Sequence, residues 1–360
     1  MTITTQSPAI DEARLDGFVN QLVTDFAGAA STVMTIVGDR LGLYQAMTGA
    51  GPVTAAELAA ATGLHPRLVR EWLAAQTVSG YVEYDPEAVT FELPAEHAMV
   101  LSIVDSPAYL VGAAEFIGGQ FQMVDQLEQA FRTNGTIDYA TLPPALFSGI
   151  ERFFRTAYVH QLATTWFPAV DGLVDRLSAG ARVADVGCGR GVATMLMAEH
   201  WPASTFAGFD LHAPSIAIAR ARAIEAGDPP NVSFRVADAA AIGTGPFDVV
   251  VFFDSLHDLG DPLAALRRAH EVLDDGGVVV AVEPFSLDRL EDGIGNPGVR
   301  VDYSASTSLC TPGSLGQPGG YALGTQGGPA KRLRLLAEAG FRDARLATET
   351  DSNLVLAATK

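Results

Sequence analysis

Apolar residues recur at helical spacing through the first half of the chain, and short apolar runs alternate with helical segments through the second. From about 11 to 47, Phe18, Leu22, Phe26 and Ala30 come every fourth residue and predict one stripe along a helix. Next, "GPVTAAELAAATGLHPRLVREWLAAQTVSGYVEYDPEAVTFELP" reads as helix, tight turn at Gly63, second helix from Pro66, then two short strands around "DPE". Thr54 and Glu57 have capping-box spacing, and Pro66 suits a first helical turn. Helix-turn-helix followed by a hairpin is a winged helix. From about 106 to 177 the pattern is helical again, as in "IERFFRTAYVHQLATTWFPAVDGLVDRL", and Gly180 closes that stretch.

Beyond Gly180 the period changes. "RVADVG", "STFAGFD", "VSFRVAD", "FDVVVFF", "GGVVVAVEP", "ARLATET" and "NLVLAAT" read as strands, with helical segments such as "ATMLMAEHW" and "DPLAALRRAHEVLDD" between them. That alternation predicts an α/β fold with a Rossmann-like doubly wound sheet, with ligands at the carboxyl ends of the strands. One stretch breaks the pattern: 285–329 is rich in Gly, Pro and Ser and reads as a long Gly-rich loop. Tyr303, Leu309, Cys310 and Tyr321 within it suggest a partly ordered pocket wall. The expected domains are 1–105 (helical, winged-helix and dimerising), 106–178 (helical connector and pocket wall) and 179–360 (sheet domain with the 285–329 loop).

Composition narrows the function. Of 360 residues, 48% are hydrophobic and 18% charged, which is globular, and the net charge of −19 repels phosphate backbones and anionic membranes. The second helix of the winged helix carries Arg67 and Arg70 but also Glu71, and the wing carries Glu83, Asp85, Glu87 and Glu92. That charge is poorly suited to DNA, and no nucleic-acid partner is expected. The start of the chain, "MTITTQSPAIDEARLDGF", lacks the basic and apolar regions of a signal peptide, and no apolar run approaches a membrane span. Two cysteines, Cys188 and Cys310, fit no metal-ligand spacing, so no metal is expected and the setting is read as the reducing cytoplasm.

Chemistry concentrates at "RVADVGCGRGVATM", where Gly187, Gly189 and Gly191 alternate after Asp185. A first strand-to-helix turn exposes backbone N–H groups, and glycine lets a ligand approach them. Val192 stands where a dinucleotide fingerprint needs its third glycine. Asp185 would repel a pyrophosphate but suits a cationic amino group. Asp210 ends the second strand about twenty residues after the glycines, the spacing of a ribose-binding carboxylate, and Asp238 ends the third.

Asp-x-Gly-x-Gly-x-Gly here resembles motif I of class I S-adenosylmethionine (SAM)-dependent methyltransferases. The winged helix ahead of it resembles the plant-type small-molecule O-methyltransferases and their bacterial relatives. The resemblance implies SAM as cofactor. Asp185 and the three glycines would hold its methionine portion, Asp210 its ribose and Asp238 its adenine, with Leu211, Ala239, Phe253 and Tyr158 completing the cofactor set. It also implies a homodimer built by the N-terminal region and a small-molecule acceptor.

"FDVVVFFDSLHDLGDP" ends the fourth strand with His257 and Asp258, similar to the "LHD" of that family, whose His is the general base. A hydroxyl acceptor has to lose a proton, and an imidazole titrates in the right range. Glu283, ending "VVVAVEP", matches the carboxylate that flanks this His in the family. The slot of a second flanking carboxylate falls on Gln326, a departure from the pattern. Phe116, Phe121, Tyr303, Cys310 and Gln326 are candidate acceptor contacts. The expected activity is SAM-dependent O-methylation with His257 as base and Glu283 as its partner. The alternatives are N- or C-methylation without a base, a SAM-fold protein that transfers no methyl group, and a winged-helix regulator that senses SAM.

Overall fold

The structure is a computed structural model that describes residues 10–360; the first nine residues of the stretch read for a leader lie outside it. The chain divides into two compact units, one ending at Gly118 and the other running from Gly119 to Lys360.

In the first unit a long helix, Glu12–Arg40, is followed by helices Leu43–Met47, Ala55–Thr62 and Pro66–Val78. Strands β1 (Glu83–Asp85) and β2 (Thr90–Glu92) pair antiparallel as the wing. The capping box forms: the Glu57 N–H donates to Thr54 Oγ1 at 3.2 Å, and the Thr54 N–H donates to Glu57 Oε2 at 2.8 Å. Gly63 turns the chain at φ +67°. Leu43, Tyr44, Met47, Leu58, Val69, Trp72 and Leu73 make the core. Two buried polar side chains of this core are paired on one atom each: the Tyr44 hydroxyl donates to Gln76 Oε1 at 2.6 Å, and Trp72 Nε1 donates to the Met34 carbonyl at 2.9 Å. The predicted stripe on the first helix stays open, with Phe18 60% and Phe26 65% exposed.

The second unit begins with helices Val124–Arg132, Pro144–Gln161 and Leu173–Ala179. Its strands are β3 (Arg182–Val186), β4 (Thr205–Asp210), β5 (Val232–Val236), β6 (Phe247–Phe253), β7 (Leu273–Pro284), β8 (Arg342–Glu349) and β9 (Asn353–Thr359). They form one sheet in the order β5-β4-β3-β6-β7-β9-β8. The first five are mutually parallel; β9 runs antiparallel to β7 and β8 antiparallel to β9. Helices cover both faces, so the central strands are apolar on both sides. Val249 and Val251 of β6 pack with Leu162, Trp166, Phe167 and Val280, whereas Val250 and Phe252 pack with Leu266, Leu336 and Val279. Chain order reverses between β3 and β6, which puts a ligand crevice at the carboxyl end of β3.

The stretch at 285–329 corrects the reading of a long loop. It contains helices Pro297–Ala305 and Thr311–Leu315, with a π-turn, Ser306–Cys310, between them. Proline marks helix starts here: Pro297 and Pro312 occupy first turns, and Asn296 Oδ1 accepts from the Gly298 and Val299 N–H groups. Among the described residues no helix is long and apolar enough to cross a membrane.

Candidate functional site

The turn after β3 is built by three glycines with different duties. All have positive φ, +76° at Gly187, +53° at Gly189 and +76° at Gly191. A Cβ on Gly187 would lie 2.5 Å from Ser255 Cβ, and one on Gly191 would lie 2.6 Å from the Phe234 ring. Those two glycines are small because the protein itself approaches them. At Gly189 a Cβ would meet nothing within 4 Å, so this is the glycine that faces open space. Cys188, between them, is half-buried among apolar neighbours including Phe234.

Two of the acids converge on this turn. Asp210, at the end of β4, accepts from the Gly189 N–H at 2.8 Å through Oδ2 and from the His212 N–H at 2.7 Å through Oδ1. Burial raises its pKa, against the pull of those backbone donors. Asp185 is 1% exposed. Its Oδ2 accepts from the Thr194 hydroxyl at 2.5 Å, while its Oδ1 is buried with no hydrogen-bond partner. Burial, opposed by the Thr194 bond, pushes its pKa up to about 7. Asp238 is exposed and caps the turn Ala239–Ala241 by accepting from the Ala240 N–H at 2.7 Å. The Leu211 side chain is 58% exposed beside Asp210.

The second group gathers at the exits of β6 and β7. His257 lies in a single 3-10 turn, Leu256–Asp258, and is buried. Its Nδ1 is 2.9 Å from Glu283 Oε2; a carboxylate has no proton to give, so Nδ1–H donates and Nε2 is left for chemistry. Glu283 is fully buried and held on both oxygens: the Leu256 N–H donates to Oε1 at 3.0 Å, and Arg332 Nε donates to Oε2 at 3.3 Å. Arg332 is buried too, and donates to the Ser286 hydroxyl at 2.8 Å and to the Gly328 and Thr325 carbonyls at 3.1 and 2.8 Å. On the far side of the ring, His257 Nε2 faces Asp258 Oδ1 at 3.3 Å, with Cys310 nearby. Burial pulls the imidazole pKa down, but Asp258 and Glu283 outweigh it and hold it well above the ordinary histidine value. Burial also pushes the Cys310 thiol up to about 12. For Glu283, burial is outweighed by His257 and Arg332, and its pKa is lowered.

The structure thus brings Asp185, Gly187, Gly189, Gly191 and Asp210 together, and separately His257, Glu283 and Cys310. Other candidates are engaged elsewhere. The Tyr158 hydroxyl donates to Asp254 Oδ2 at 3.0 Å, which occupies the group read as a cofactor contact. Phe253 packs edge-on to Tyr158 at 5.5 Å and stacks on Phe167 at 6.1 Å, so its side chain is core. Gln326 donates to the Phe285 carbonyl at 3.1 Å; the carboxylate facing Nε2 is instead Asp258. Phe121 and Tyr303 are 57% and 38% exposed, and Phe116 is half-buried in the first unit.

Sequence reasoning missed Arg332, Asp254 and an aromatic group beside Asp210. Arg332 had a signal: it precedes Leu335 and Leu336 by three and four residues, on the buried stripe of its helix, and a cation there needs a buried anion. Asp254 takes φ +47° at the exit of β6 and also accepts from Asn353 Nδ2 at 3.3 Å. Phe147 stacks on His212 at 4.9 Å, Tyr139 meets both edge-on, and Arg190 of the turn pairs with Glu151 at 3.2 Å. These come from a helical stretch with no motif.

Known proteins resemble this chain in both parts. Residues 29–103 match an Rv2258c-like winged helix-turn-helix domain, and residues 177–304 match a methyltransferase domain. A ubiquinone biosynthesis O-methyltransferase of Pseudomonas aeruginosa (strain LESB58) is 31% identical over 124 residues, 34% of this chain and 50% of that protein. The protein of that name from Vibrio parahaemolyticus (serotype O3:K6, strain RIMD 2210633) is 33% identical over 101 residues, 28% of this chain and 42% of that protein. The chain therefore spans about half the length of the curated relatives it matches. The fold is shared over the whole length with the mitomycin 7-O-methyltransferase MmcR (TM-score 0.68, 20% identity, 97% of this chain and 100% of that one). It is shared equally with human N-acetylserotonin methyltransferase, solved with SAM (TM-score 0.66, 19% identity, 99% of each chain).

Proposed function

We propose that the chain, which joins a winged helix-turn-helix domain to a methyltransferase domain, is a class I SAM-dependent enzyme that methylates a hydroxyl of a small molecule, with His257 as general base. The residues present fit the cofactor. The orphaned Oδ1 of Asp185 is an acceptor without a donor and suits an ammonium group. Gly189 leaves room above the turn, and Asp210 is oriented by two backbone N–H groups for ribose hydroxyls. When bound, SAM supplies a methyl group on a sulfonium, open to in-line displacement by an acceptor oxygen.

The chain's own part is proton management. Nε2 of His257 takes the proton of the acceptor hydroxyl as that oxygen becomes nucleophilic. Glu283 fixes the ring and stabilises the imidazolium so formed, and Arg332 fixes Glu283. That buried chain of Arg332, Glu283 and His257, which leaves Nε2 facing Asp258 and Cys310, is the observation that carries the reading. Asp258 and Glu283 raise the pKa of the imidazole above the ordinary histidine value, so the free base gains ground as pH rises.

We also propose the roles of the remaining parts: 1–105 dimerises, 106–178 forms a pocket wall and 179–360 carries the cofactor. The open stripe of Phe18, Leu22 and Phe26 supports a homodimer. Two free cysteines support a reducing, cytoplasmic setting. The exposed acidic wing favours an enzyme over a DNA-reading regulator.

The test is S-adenosylhomocysteine (SAH) formation from SAM with a panel of phenols and alcohols. Turnover with an oxygen acceptor supports the reading. Turnover with amines or carbon acceptors alone, or none with any acceptor, contradicts it, as would a low-salt gel shift showing tight DNA binding.

A further inference from the structure

We propose that Nε2 of His257, a carboxylate oxygen of Asp258 and Sγ of Cys310 form a binding site for a soft divalent cation of the zinc class. One ligating atom from each residue lies within 4.8 Å of the other two. In a tetrahedral zinc site, donors at about 2.0–2.3 Å from the ion stand roughly 3.3–3.8 Å apart. Nε2 and Asp258 Oδ1 stand at 3.3 Å, within that range, and Sγ lies within 4.8 Å of both donors.

Four further features support a cation here. Asp258 Oδ1 is buried, meets no hydrogen-bond partner and faces Nε2 at 3.3 Å, so the two atoms are placed to share one ion. His257 donates Nδ1–H to Glu283, the carboxylate–histidine arrangement that turns the other nitrogen toward a metal, and Arg332 anchors that carboxylate. Nitrogen, oxygen and sulfur donors together favour zinc and its soft neighbours over magnesium or calcium. The charges also cancel: carboxylate and thiolate offset a dication, the Cys310 thiol proton and the proton on Nε2 of His257 both leaving to solvent on binding. Three protein ligands leave a fourth position for water or an acceptor oxygen. His257 and Asp258 come from the turn after β6 and Cys310 from the π-turn Ser306–Cys310, so no local spacing in the sequence betrays the set.

Metal binding itself does not depend on the methyltransferase reading; its consequence does. An ion on Nε2 and a proton taken up by Nε2 exclude each other. Zinc is therefore expected to suppress methylation reversibly, in competition with the acceptor and not with SAM.

The experiment titrates chelator-treated, full-length protein with cobalt(II) and follows the near-ultraviolet sulfur-to-cobalt charge-transfer band. One equivalent is expected to bring up the band, and zinc to abolish it. The band should persist in Cys188→Ser and vanish in Cys310→Ser, with SAH binding by calorimetry reporting that the latter variant is folded. Glu283→Gln should weaken cobalt binding by about 10–100-fold. No charge-transfer band in the wild type, or one that survives Cys310→Ser, overturns the proposal. A protein that shows the cobalt spectrum but methylates no hydroxyl keeps the metal site and loses only the reading of its function.

Discussion

Asp185→Asn should stabilise the ligand-free protein and weaken its hold on the cofactor, two effects of opposite sign from one atom. The carboxyl is buried at the end of β3, and burial lifts its pKa from 3.8 to about 7. A carboxyl whose folded pKa lies above the unfolded one binds its proton more tightly in the native state. It costs nothing below the unfolded pKa, and the cost accumulates as pH rises from about 4 to about 7. At 1.36 kcal/mol per pKa unit, the penalty above pH 7 has a ceiling of about 4 kcal/mol. Asparagine keeps an acceptor for Thr194 but places an NH₂ where Oδ1 lacks a partner, which costs about 1–3 kcal/mol. The net gain is therefore roughly 1–3 kcal/mol at pH 8, a rise of several degrees in melting temperature for a unit of this size. At pH 5 the gain should shrink or reverse. Thermal melts of both proteins at the two pH values measure it, and calorimetry with SAH should show the variant binding more weakly. A variant that melts below the wild type at pH 8, or a gap that ignores pH, would refute the argument from burial.

Three further outcomes follow from the same geometry. His257→Ala should lower turnover, measured as SAH release, by roughly 10²–10⁴-fold while leaving SAH affinity unchanged; unchanged turnover removes His257 as base. The wild-type rate should rise with pH through a value above the ordinary histidine pKa, because the imidazole must lose its proton to act. Glu283→Gln withdraws one of the two charges that hold that proton, so its pH–rate curve should move to lower pH as well as fall, and a curve that falls without moving contradicts the pairing. Gly191→Ala puts a Cβ at φ +76° and 2.6 Å from the Phe234 ring, and should cost about 2–4 kcal/mol in denaturant unfolding; a cost below about 1 kcal/mol would mean that the turn relaxes.

Legibility in the sequence followed the range of the interactions. The capping box at Thr54, the proline at the start of the next helix and the short wing depend on neighbours within a few residues, and all were readable. So were the strand ends carrying Asp185, Asp210 and Glu283, since an apolar run ending in an acid is a local pattern. The stretch at 285–329 misled because glycine and proline contents suggest a loop, although proline in a first turn starts a helix. The antiparallel pairing of β9 with β7 and β8 depends on contacts between distant segments, and no local spacing encodes it. The same holds for the approach of Cys310 to His257 and for the hydroxyl of Tyr158, which meets Asp254 across ninety-six residues.

The central claim is that the glycine turn, flanked by Asp185 and Asp210, holds SAM and not a nicotinamide dinucleotide. Isothermal titration of the full-length protein with SAH and with NADH tests it most directly. The account predicts one SAH per chain, no measurable heat from NADH, and a marked loss of SAH affinity in Asp210→Ala. Saturable NADH binding with none for SAH would contradict it.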